Sequence, residues 1–402
     1  MKLKQQPEDF RVEELTDLKP GRHGVFAFYR LEKTGWSTPD ALAAIRRRWK
    51  VDLHRMSYGG LKDRHARTVQ YLTIFRGPAR DLEHQQIRLS YLGQTAEAYS
   101  STSFRANRFV LTLRDMPPTQ QEGVEDRLQQ LLTTGVPNYF DDQRFGSYSG
   151  PGGHWIARLL IEAKFEEALQ VALTAPYEHD RQLEKQEKQL LRDHWGQWET
   201  LKNLLERGHA RSLVDYLRLH PSDFKGAVIR LRPELRGLYL SAYQSYLWNR
   251  LLARWLERHV GAEGLREVPL RTGMIPFPRH ISADIQTQFN QLALPLPSAR
   301  WKPEADDQRR ELVEEVLSDE GLSLERMQVR GVRELFFSRG ERPALARLDQ
   351  ANWTWAADDR HPGQKKLILR FELPRGAYAT MVVKAAVEEG HRVRANRLGG
   401  SS

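Results

Sequence analysis

The chain has 402 residues, more than one ordinary hydrophobic core organises, so two domains or one domain with a large insertion are expected. Lys and Arg total 62 against 52 Asp and Glu, and the net charge of +10 favours a polyanionic partner. The absence of cysteine excludes disulfides, thiolate metal sites, iron–sulfur clusters and thiol nucleophiles.

The first residues of the chain have no apolar signal core, and no apolar run approaches the length that crosses a membrane. We therefore predict a cytoplasmic protein with no membrane partner. Residues 10–13 alternate apolar and polar side chains, and residues 25–31 are rich in aromatic and β-branched side chains. Each of these two segments is predicted to form a strand.

The first predicted helix begins at Thr38, which we expect to be its N-cap, with Pro39 in the first turn. It continues to about Lys50, and residues 46–50 include four cations that suit the C-terminal end of a helix. Further strands are predicted at residues 68–75, 108–113 and 367–373. Because strands and helices do not alternate regularly, the pattern indicates an α+β domain around a largely antiparallel sheet.

The middle of the chain has a different pattern. Apolar spacing predicts helices at residues 155–173, 180–207, 210–219 and 238–260. Residues 269–303 are rich in proline and are predicted to be irregular, and strand-like sequence returns only near residues 331–337. A helical module inserted between the two halves of a sheet domain explains this order. Residues 398–402 are predicted to be a flexible tail.

The segment at residues 59–70 is the strongest candidate for chemistry. Asp63 lies between Lys62 and Arg64, after a glycine pair and before a predicted strand. Neighbouring cations keep a carboxylate ionised, and the end of a turn that leads into a strand commonly presents a reactive group. Asp63 is therefore the candidate catalytic residue.

Two further segments combine aromatic and polar side chains with loop residues. In residues 137–146, Asn138 could read the polar edge of a base and Phe140 could stack on its face. The alternative is that Asn138 caps a turn. In residues 371–380, a strand, a Pro/Gly turn and a helix start place Tyr378 at a rim, although it could equally be an ordinary amphipathic tyrosine.

Four segments in order resemble the motifs of the TruD-type pseudouridine synthases. They are residues 7–14, 60–70, 135–146 and 373–380. Residues 241–249 also resemble a family helix within the inserted module. The resemblance implies a pseudouridine synthase core with a mixed, largely antiparallel sheet, split by a mainly helical TruD-specific insertion domain. The expected catalytic domain is residues 1–153 and 339–402, and the expected insertion domain is residues 154–338.

The resemblance also implies an activity and its residues. It implies conversion of uridine to pseudouridine in tRNA, typically at position 13, without cofactor or metal. Asp63 matches the catalytic aspartate of the family. The expected substrate-binding residues are Phe10, Asn138, Phe140, Tyr378, Lys4 and Glu14. The partner implied is tRNA, no protein partner is implied, and we expect a monomer.

Basic side chains are expected to contact RNA. The candidates are Lys62, Arg64, Arg67, Arg144 and Lys384, with Arg105, Arg108 and residues 46–50 as further phosphate contacts. For most surface arginines, the alternative is a solvated face. Arg64, Arg144 and Lys384 are also the candidate cations for holding Asp63 ionised.

Two positions depart from the family pattern. Asp141 stands where glycine is usual, and Ser37 stands where asparagine or aspartate is common. Because Asp141 adds a carboxylate and a stiffer backbone beside the expected pocket, a non-catalytic RNA-binding or RNA-chaperone protein on the same scaffold stays an alternative. A metal-dependent nuclease is disfavoured because no His-Glu-x-x-His or other metal-ligand spacing occurs.

Overall fold

The computed structural model describes residues 1–148, 155–177 and 180–387, so the predicted tail at residues 398–402 lies outside the described residues. The strands are β1 (Phe10–Leu15), β2 (Phe26–Thr34), β3 (Met56–Tyr58), β4 (Arg67–Phe75), β5 (Leu82–His84), β6 (Ile87–Thr95), β7 (Ala106–Met116), β8 (Val136–Pro137), β9 (Leu265–Leu270), β10 (Gly273–Pro278), β11 (Ala293–Pro295), β12 (Glu341–Pro343), β13 (Leu345–Ala346), β14 (Asp349–Ala357) and β15 (Lys365–Pro374).

The helices are α1 (Thr38–Trp49), α2 (Gln121–Thr134), α3 (Ile156–Ile161), α4 (Phe165–Thr174), α5 (Gln182–Asp193), α6 (Trp198–Leu204), α7 (His209–Leu219), α8 (Phe224–Ile229), α9 (Pro233–Val260), α10 (Ala283–Gln291), α11 (Arg309–Asp319) and α12 (Ala379–Ala386). The chain forms two compact units. Unit one is residues 1–136 with the chain from 346 onward, and unit two is residues 137–345.

Unit one is built on a nine-stranded sheet. Its strand order is β14-β15-β7-β1-β4-β2-β6-β5, and β3 pairs with β4 outside that path. β1 and β4 run parallel, and the other paired neighbours run antiparallel. The prediction of an α+β fold with a mixed, largely antiparallel sheet is therefore confirmed. The five strands predicted for unit one all form, and each has buried side chains that pack on a core.

Helix α1 packs on one face of the sheet. Its apolar residues, including Leu42 and Ile45, join a core cluster with Tyr29 and Leu31 of β2. The expected N-cap was wrong by one residue, since Ser37 is the cap and its hydroxyl accepts a hydrogen bond from the Asp40 N–H at 3.2 Å. The reason is that the Thr38 hydroxyl is engaged elsewhere, as described below.

Unit two is mainly helical, with α9 in contact with α3, α11, β10 and β11. Two of its predicted helices are interrupted. The segment 155–173 divides into α3 and α4 at Ala163, whose φ is +60°, and the segment 180–207 divides into α5 and α6 near Gly196, whose φ is +86°. A positive φ cannot be part of a right-handed helix, so each break has a local backbone cause.

Two other predictions for unit two were wrong. Residues 269–303 are not irregular: they contain most of the β9–β10 hairpin, then α10 and β11. In a two-stranded sheet each strand has an unpaired edge, so Pro276 and Pro278 are tolerated in β10. Residues 331–337 form no strand, because Val332 and Leu335 bury their side chains while their backbone N–H groups bond within turns.

Candidate active site

Asp63 lies in a loop of residues 59–66 between β3 and β4, which we call the catalytic loop after the role expected of Asp63 from the sequence. Its carboxylate oxygen is 2.6 Å from the Lys4 ammonium, and the side chains of Lys4 and Asp63 are 26% and 38% exposed. The same ammonium lies 4.0 Å from the centre of the Phe10 ring. Lys4 therefore contacts two other residues expected at the site, Phe10 and Asp63.

The cation that pairs with Asp63 was not among the three named from the sequence. The candidates were Arg64, Arg144 and Lys384, whereas the observed partner is Lys4. Lys4 precedes Asp63 by 59 residues, so no local pattern could indicate the pair. Its backbone φ of +58° is uncommon for a side chain other than glycine, and such strain is typical of functional positions.

Several side chains hold the backbone of the catalytic loop. The Thr38 hydroxyl accepts the Lys62 N–H at 2.9 Å and donates to the Gln70 amide oxygen at 2.8 Å. The Gln70 amide nitrogen in turn donates to the Gly60 carbonyl at 3.1 Å. Gln70, part of the family-like motif, therefore acts as a loop anchor in this fold.

Lys62 and Glu14 form a buried ion pair beneath the loop. The Lys62 ammonium is 3.0 Å from a Glu14 oxygen and 2.9 Å from the Asn107 amide oxygen, and its side chain is only 10% exposed. Glu14 is fully buried and also accepts from the Tyr71 N–H at 3.1 Å and the Tyr99 hydroxyl at 3.3 Å. Lys62, expected to contact RNA, and Glu14, expected to bind substrate, therefore pair with each other in this structure.

The segment that carries Lys4 is fixed by a buried arginine that the sequence did not single out. Arg114 of β7 donates to Asp9 at 2.9 Å and to Asp358 at 3.0 Å, and its side chain is 5% exposed. Asp9 also accepts the Gln6 N–H at 3.1 Å. Although burial opposes it, hydrogen bonding to Asp359, Asp9 and Asp358 raises the pKa of Arg114. No short-range signal could have identified this cluster, because Asp9, Arg114 and Asp358 lie far apart in the chain.

The other basic residues expected to contact RNA in unit one differ in how they are paired. Arg64 is exposed, whereas Arg67 pairs with Glu32 at 2.6 Å, and hydrogen bonding from Arg67 lowers the pKa of that glutamate. Arg108 pairs at 2.8 Å with Glu372, and Arg105 lies 3.6 Å from the same carboxylate. The basic residues at the end of α1 are exposed, and they are Arg46, Arg47, Arg48 and Lys50.

Tyr378 and Lys384 belong to the last helix of unit one. Tyr378 is the N-cap residue of α12 and is half-buried, which agrees with its expected position between a strand and a helix start. Lys384 lies in the last turn of the same helix and is also half-buried. Their roles in binding stay predictions.

Within unit two, Asn138 and Phe140 share a neighbour in Arg342. The Asn138 amide donates to the Pro343 carbonyl at 2.9 Å and accepts from Arg342 at 2.6 Å. The Arg342 guanidinium lies 4.1 Å from the centre of the Phe140 ring, and Arg144 lies 5.7 Å from it. The ring also meets Trp248 edge-on at 5.5 Å. Arg342 is an addition that the sequence did not suggest.

The backbone around Phe140 is clamped by α9. The Asn249 side chain accepts the Phe140 N–H and donates to the Phe140 carbonyl, each at 2.8 Å. Asn249 closes the segment 241–249 that resembles a family helix, which explains why an amide is needed there. The next residue, Asp141, has a φ of −94° and a ψ of 170°, ordinary extended geometry, so replacing the usual glycine brings no backbone strain.

The described parts of the chain hold neither a cluster of metal ligands nor a helix suited to a membrane. Within residues 1–148, 155–177 and 180–387, no group of three or more His, Asp or Glu side chains is placed to hold a metal ion. Over the same ranges, no helix combines the length and apolar character that a membrane span requires.

Comparison with known proteins extends over nearly the whole chain. The family model described as tRNA pseudouridine synthase D (TruD) matches residues 1–386. The chain is 29% identical to the tRNA pseudouridine synthase D of Leptospira interrogans, over 95% of each chain. It is 29% identical to that of Aquifex aeolicus, over 96% of this chain and 97% of the other. A crystal structure from Methanosarcina mazei, described as a TruD protein, superposes with a TM-score of 0.69 at 27% identity, covering 96% of this chain and 92% of that one.

Proposed function

This chain belongs to the TruD family of tRNA pseudouridine synthases and is an isomerase, and from that premise we propose that Asp63 is its catalytic residue. The reaction proposed is isomerisation of a uridine in tRNA to pseudouridine, at position 13, with no cofactor. The observation that carries the proposal is the contact of Asp63, on an anchored loop, with the Lys4 ammonium, which also lies over the Phe10 ring.

The reaction needs an ionised carboxylate beside the ribose. The bond between ribose C1′ and uracil N1 breaks, the base turns, and a bond forms between C1′ and C5, whose hydrogen leaves as a proton while N1 takes up a proton. Asp63 can attack the ribose, or remove a ribose proton while it stabilises positive charge at C1′. Both routes use the charged form of Asp63, whose carboxylate lies 2.6 Å from the Lys4 ammonium.

The detached base must be kept from water and from the RNA stack. Extrusion of the nucleotide costs a few kcal/mol, and stacking on an aromatic ring returns ~1–3 kcal/mol for each base. Phe10, Phe140 and Tyr378 are the aromatic residues proposed for this role. The Arg342 guanidinium lies over one face of the Phe140 ring, so a uracil that stacks on that face must displace it.

Asn138 is proposed to read the polar edge of the uracil. Its amide already bonds to Arg342 and Pro343, so recognition of the base would exchange these hydrogen bonds for bonds to uracil. Such an exchange keeps the buried amide satisfied in both states. Glu14 and Lys62 are proposed to act indirectly: their ion pair supports the loop that carries Asp63.

We propose that the enzyme acts in the cytoplasm as a monomer, with tRNA as its partner. The synthase domain is proposed to correspond to unit one and the family-specific insertion to unit two. The expected domain boundaries are 153/154 and 338/339, whereas the compact units divide at 136/137 and 345/346.

The test is the isosteric variant Asp63→Asn, assayed by tritium release from tRNA labelled with 5-³H-uridine. Tritium leaves C5 only if the glycosidic rearrangement occurs. The variant should bind tRNA with the affinity of the unaltered protein and release no tritium. Retained turnover would reject Asp63, whereas an inactive unaltered protein that still binds tRNA would favour a non-catalytic scaffold.

A further inference from the structure

Lys33 is a fully buried lysine next to the catalytic loop. It lies near the end of β2, paired with Thr68 of β4 and Ile87 of β6, and none of its surface is exposed. Strand alternation places it on the face of β2 that also carries Leu31 and Tyr29, the face on which α1 packs. A buried ammonium is costly unless its protons are all hydrogen-bonded, so its partners must explain its presence.

All three protons of the Lys33 ammonium have carbonyl acceptors. Its Nζ donates to the Trp36 carbonyl at 2.7 Å, the Asp63 carbonyl at 3.1 Å and the Lys62 carbonyl at 3.3 Å. Two of these acceptors are consecutive residues of the catalytic loop, and the third precedes α1. Lys33 therefore ties the backbone of Asp63 to the sheet and to the start of a helix.

We propose that Lys33 is a positioning residue for Asp63, an inference that rests on the proposed function. Its buried ammonium fixes the backbone from which the Asp63 side chain projects, and it does not itself contact RNA. Lys4 holds the other end of the same residue, at the carboxylate. With both ends held, Asp63 meets an extruded nucleoside in one geometry. A misplacement of about 1 Å can cost about 100-fold in rate.

The electrostatic setting of Lys33 agrees with this role. Burial lowers its pKa to about 8, attraction to Asp63 opposes that shift, and repulsion from Lys62 adds to it. These two charged groups face it from the catalytic loop, while its cross-strand neighbours Thr68 and Ile87 are uncharged. A neutral amine has only two protons for three carbonyls, so deprotonation releases one of the anchors.

The first test replaces Lys33 with methionine, which matches the lysine side chain except for its terminal ammonium and so removes all donors. Lys33→Met should lower kcat about 100-fold, while KM and the affinity for tRNA stay within about threefold of the unaltered values. The matched control is Lys188→Met in unit two, where another largely buried lysine pairs with Asp180 at 2.6 Å. That variant should lose stability and keep kcat. A folded Lys33→Met variant with kcat near normal would overturn the proposal.

Two further variants separate positioning from folding. Lys33→Ala should regain activity when a short alkylammonium is added, because the amine refills the cavity and again donates to the carbonyls. Lys33→Arg keeps charge and donors, so it should keep kcat within about tenfold and lack the fall in kcat that deprotonation of lysine causes above about pH 8 in the unaltered protein. Each variant is compared on the same tRNA, so ionisation of the RNA cancels.

The outcomes are decisive even if Lys33→Met does not fold. A folded arginine variant as inactive as Asp63→Asn, or an alanine variant that folds and is not rescued, contradicts the positioning role. An unaltered protein that releases no tritium rejects the proposed function instead, because Lys33 is then not tested through an active site. The failure of the inference and the failure of the proposed function therefore give different results.

Discussion

Burial decides what each charged residue around the catalytic loop can do. Lys62 looks from the sequence like a phosphate contact, yet its ammonium pairs with Glu14, which has no exposed surface. Loss of one partner of a buried ion pair destabilises a protein by about 3–5 kcal/mol. We therefore expect Lys62 to stay paired with Glu14 and not to contact RNA. Lys4, by contrast, is a quarter exposed at its side chain and pairs with Asp63, the carboxylate that we propose meets the substrate.

Removal of the Lys4 ammonium should therefore affect turnover more than stability. We expect Lys4→Met to lower kcat by about 10- to 100-fold, because Asp63 loses the cation that orients it. An ion pair with this exposure contributes at most about 1 kcal/mol to folding, so the unfolding midpoint should scarcely change. Single-turnover tritium release and thermal unfolding measure the two effects.

The control lies two residues away. Lys2 is 3.8 Å from Asp115, and both side chains are well exposed, so Lys2→Met removes an equivalent charge from the same segment without touching Asp63. It should leave kcat unchanged. Equal turnover by the Lys4 and Lys2 variants would show that the Lys4–Asp63 pair has no part in catalysis.

At the scale of elements, helix α9 determines the conformation of the Phe140 segment. It is 28 residues long and begins at Pro233, earlier than apolar spacing indicates, because a proline fits the first turn. Its side chains reach several neighbouring segments: Asn249 clamps Phe140, and Gln244 donates to the Pro297 carbonyl at 3.0 Å and the Ser338 carbonyl at 2.8 Å. Side chains of this one helix thus supply hydrogen-bond partners to the backbone of segments that lie outside the β-strands.

Loss of the Asn249 clamp should destabilise unit two. Asn249→Ala removes two buried hydrogen bonds to the Phe140 backbone, and loss of the partner of a buried polar group costs about 1–3 kcal/mol. We expect a loss of about 2–4 kcal/mol, measured by urea denaturation followed by tryptophan fluorescence. Asn290→Ala, at an exposed position of α10, should change the stability by less than about 0.5 kcal/mol. Equal effects at the two positions would argue against the clamp.

At the scale of the whole molecule, the net charge of +10 sets the expected mode of tRNA binding. Some of the basic residues are neutralised locally, as in the Arg67–Glu32 and Arg108–Glu372 pairs, while the cluster at the end of α1 is exposed. Electrostatic attraction to phosphates should therefore depend on exposed clusters rather than on the total count of basic residues.

Binding should weaken steeply with salt. A protein that neutralises about three phosphates loses about 20- to 40-fold in affinity when the salt concentration rises fourfold. We expect at least this loss between 50 and 200 mM salt, measured with the Asp63→Asn variant so that turnover does not alter the RNA. An affinity that is independent of salt would exclude a phosphate-dominated contact.

The local pattern of the sequence was sufficient for five of the nine strands of the sheet in unit one and for the family to which the chain belongs. Alternation in residues 10–13 and the run of aromatic side chains in residues 25–31 each report burial against one sheet, a property that neighbouring residues share. The proline-rich segment near Pro276 could not be interpreted in this way. Proline has no N–H to donate, so a strand tolerates it only on an unpaired edge, and which edge is unpaired depends on the tertiary pairing.

Tertiary structure alone decided which charges meet. Lys4 with Asp63, Lys33 with the catalytic loop, Lys62 with Glu14, and Arg114 with Asp9 and Asp358 join residues separated by roughly thirty to two hundred and forty positions. Sequence spacing carries no information about such pairs, since the energy of a buried charge depends on the groups that surround it in space. The residue types of the site could thus be named from the chain, whereas their partners followed only from the fold.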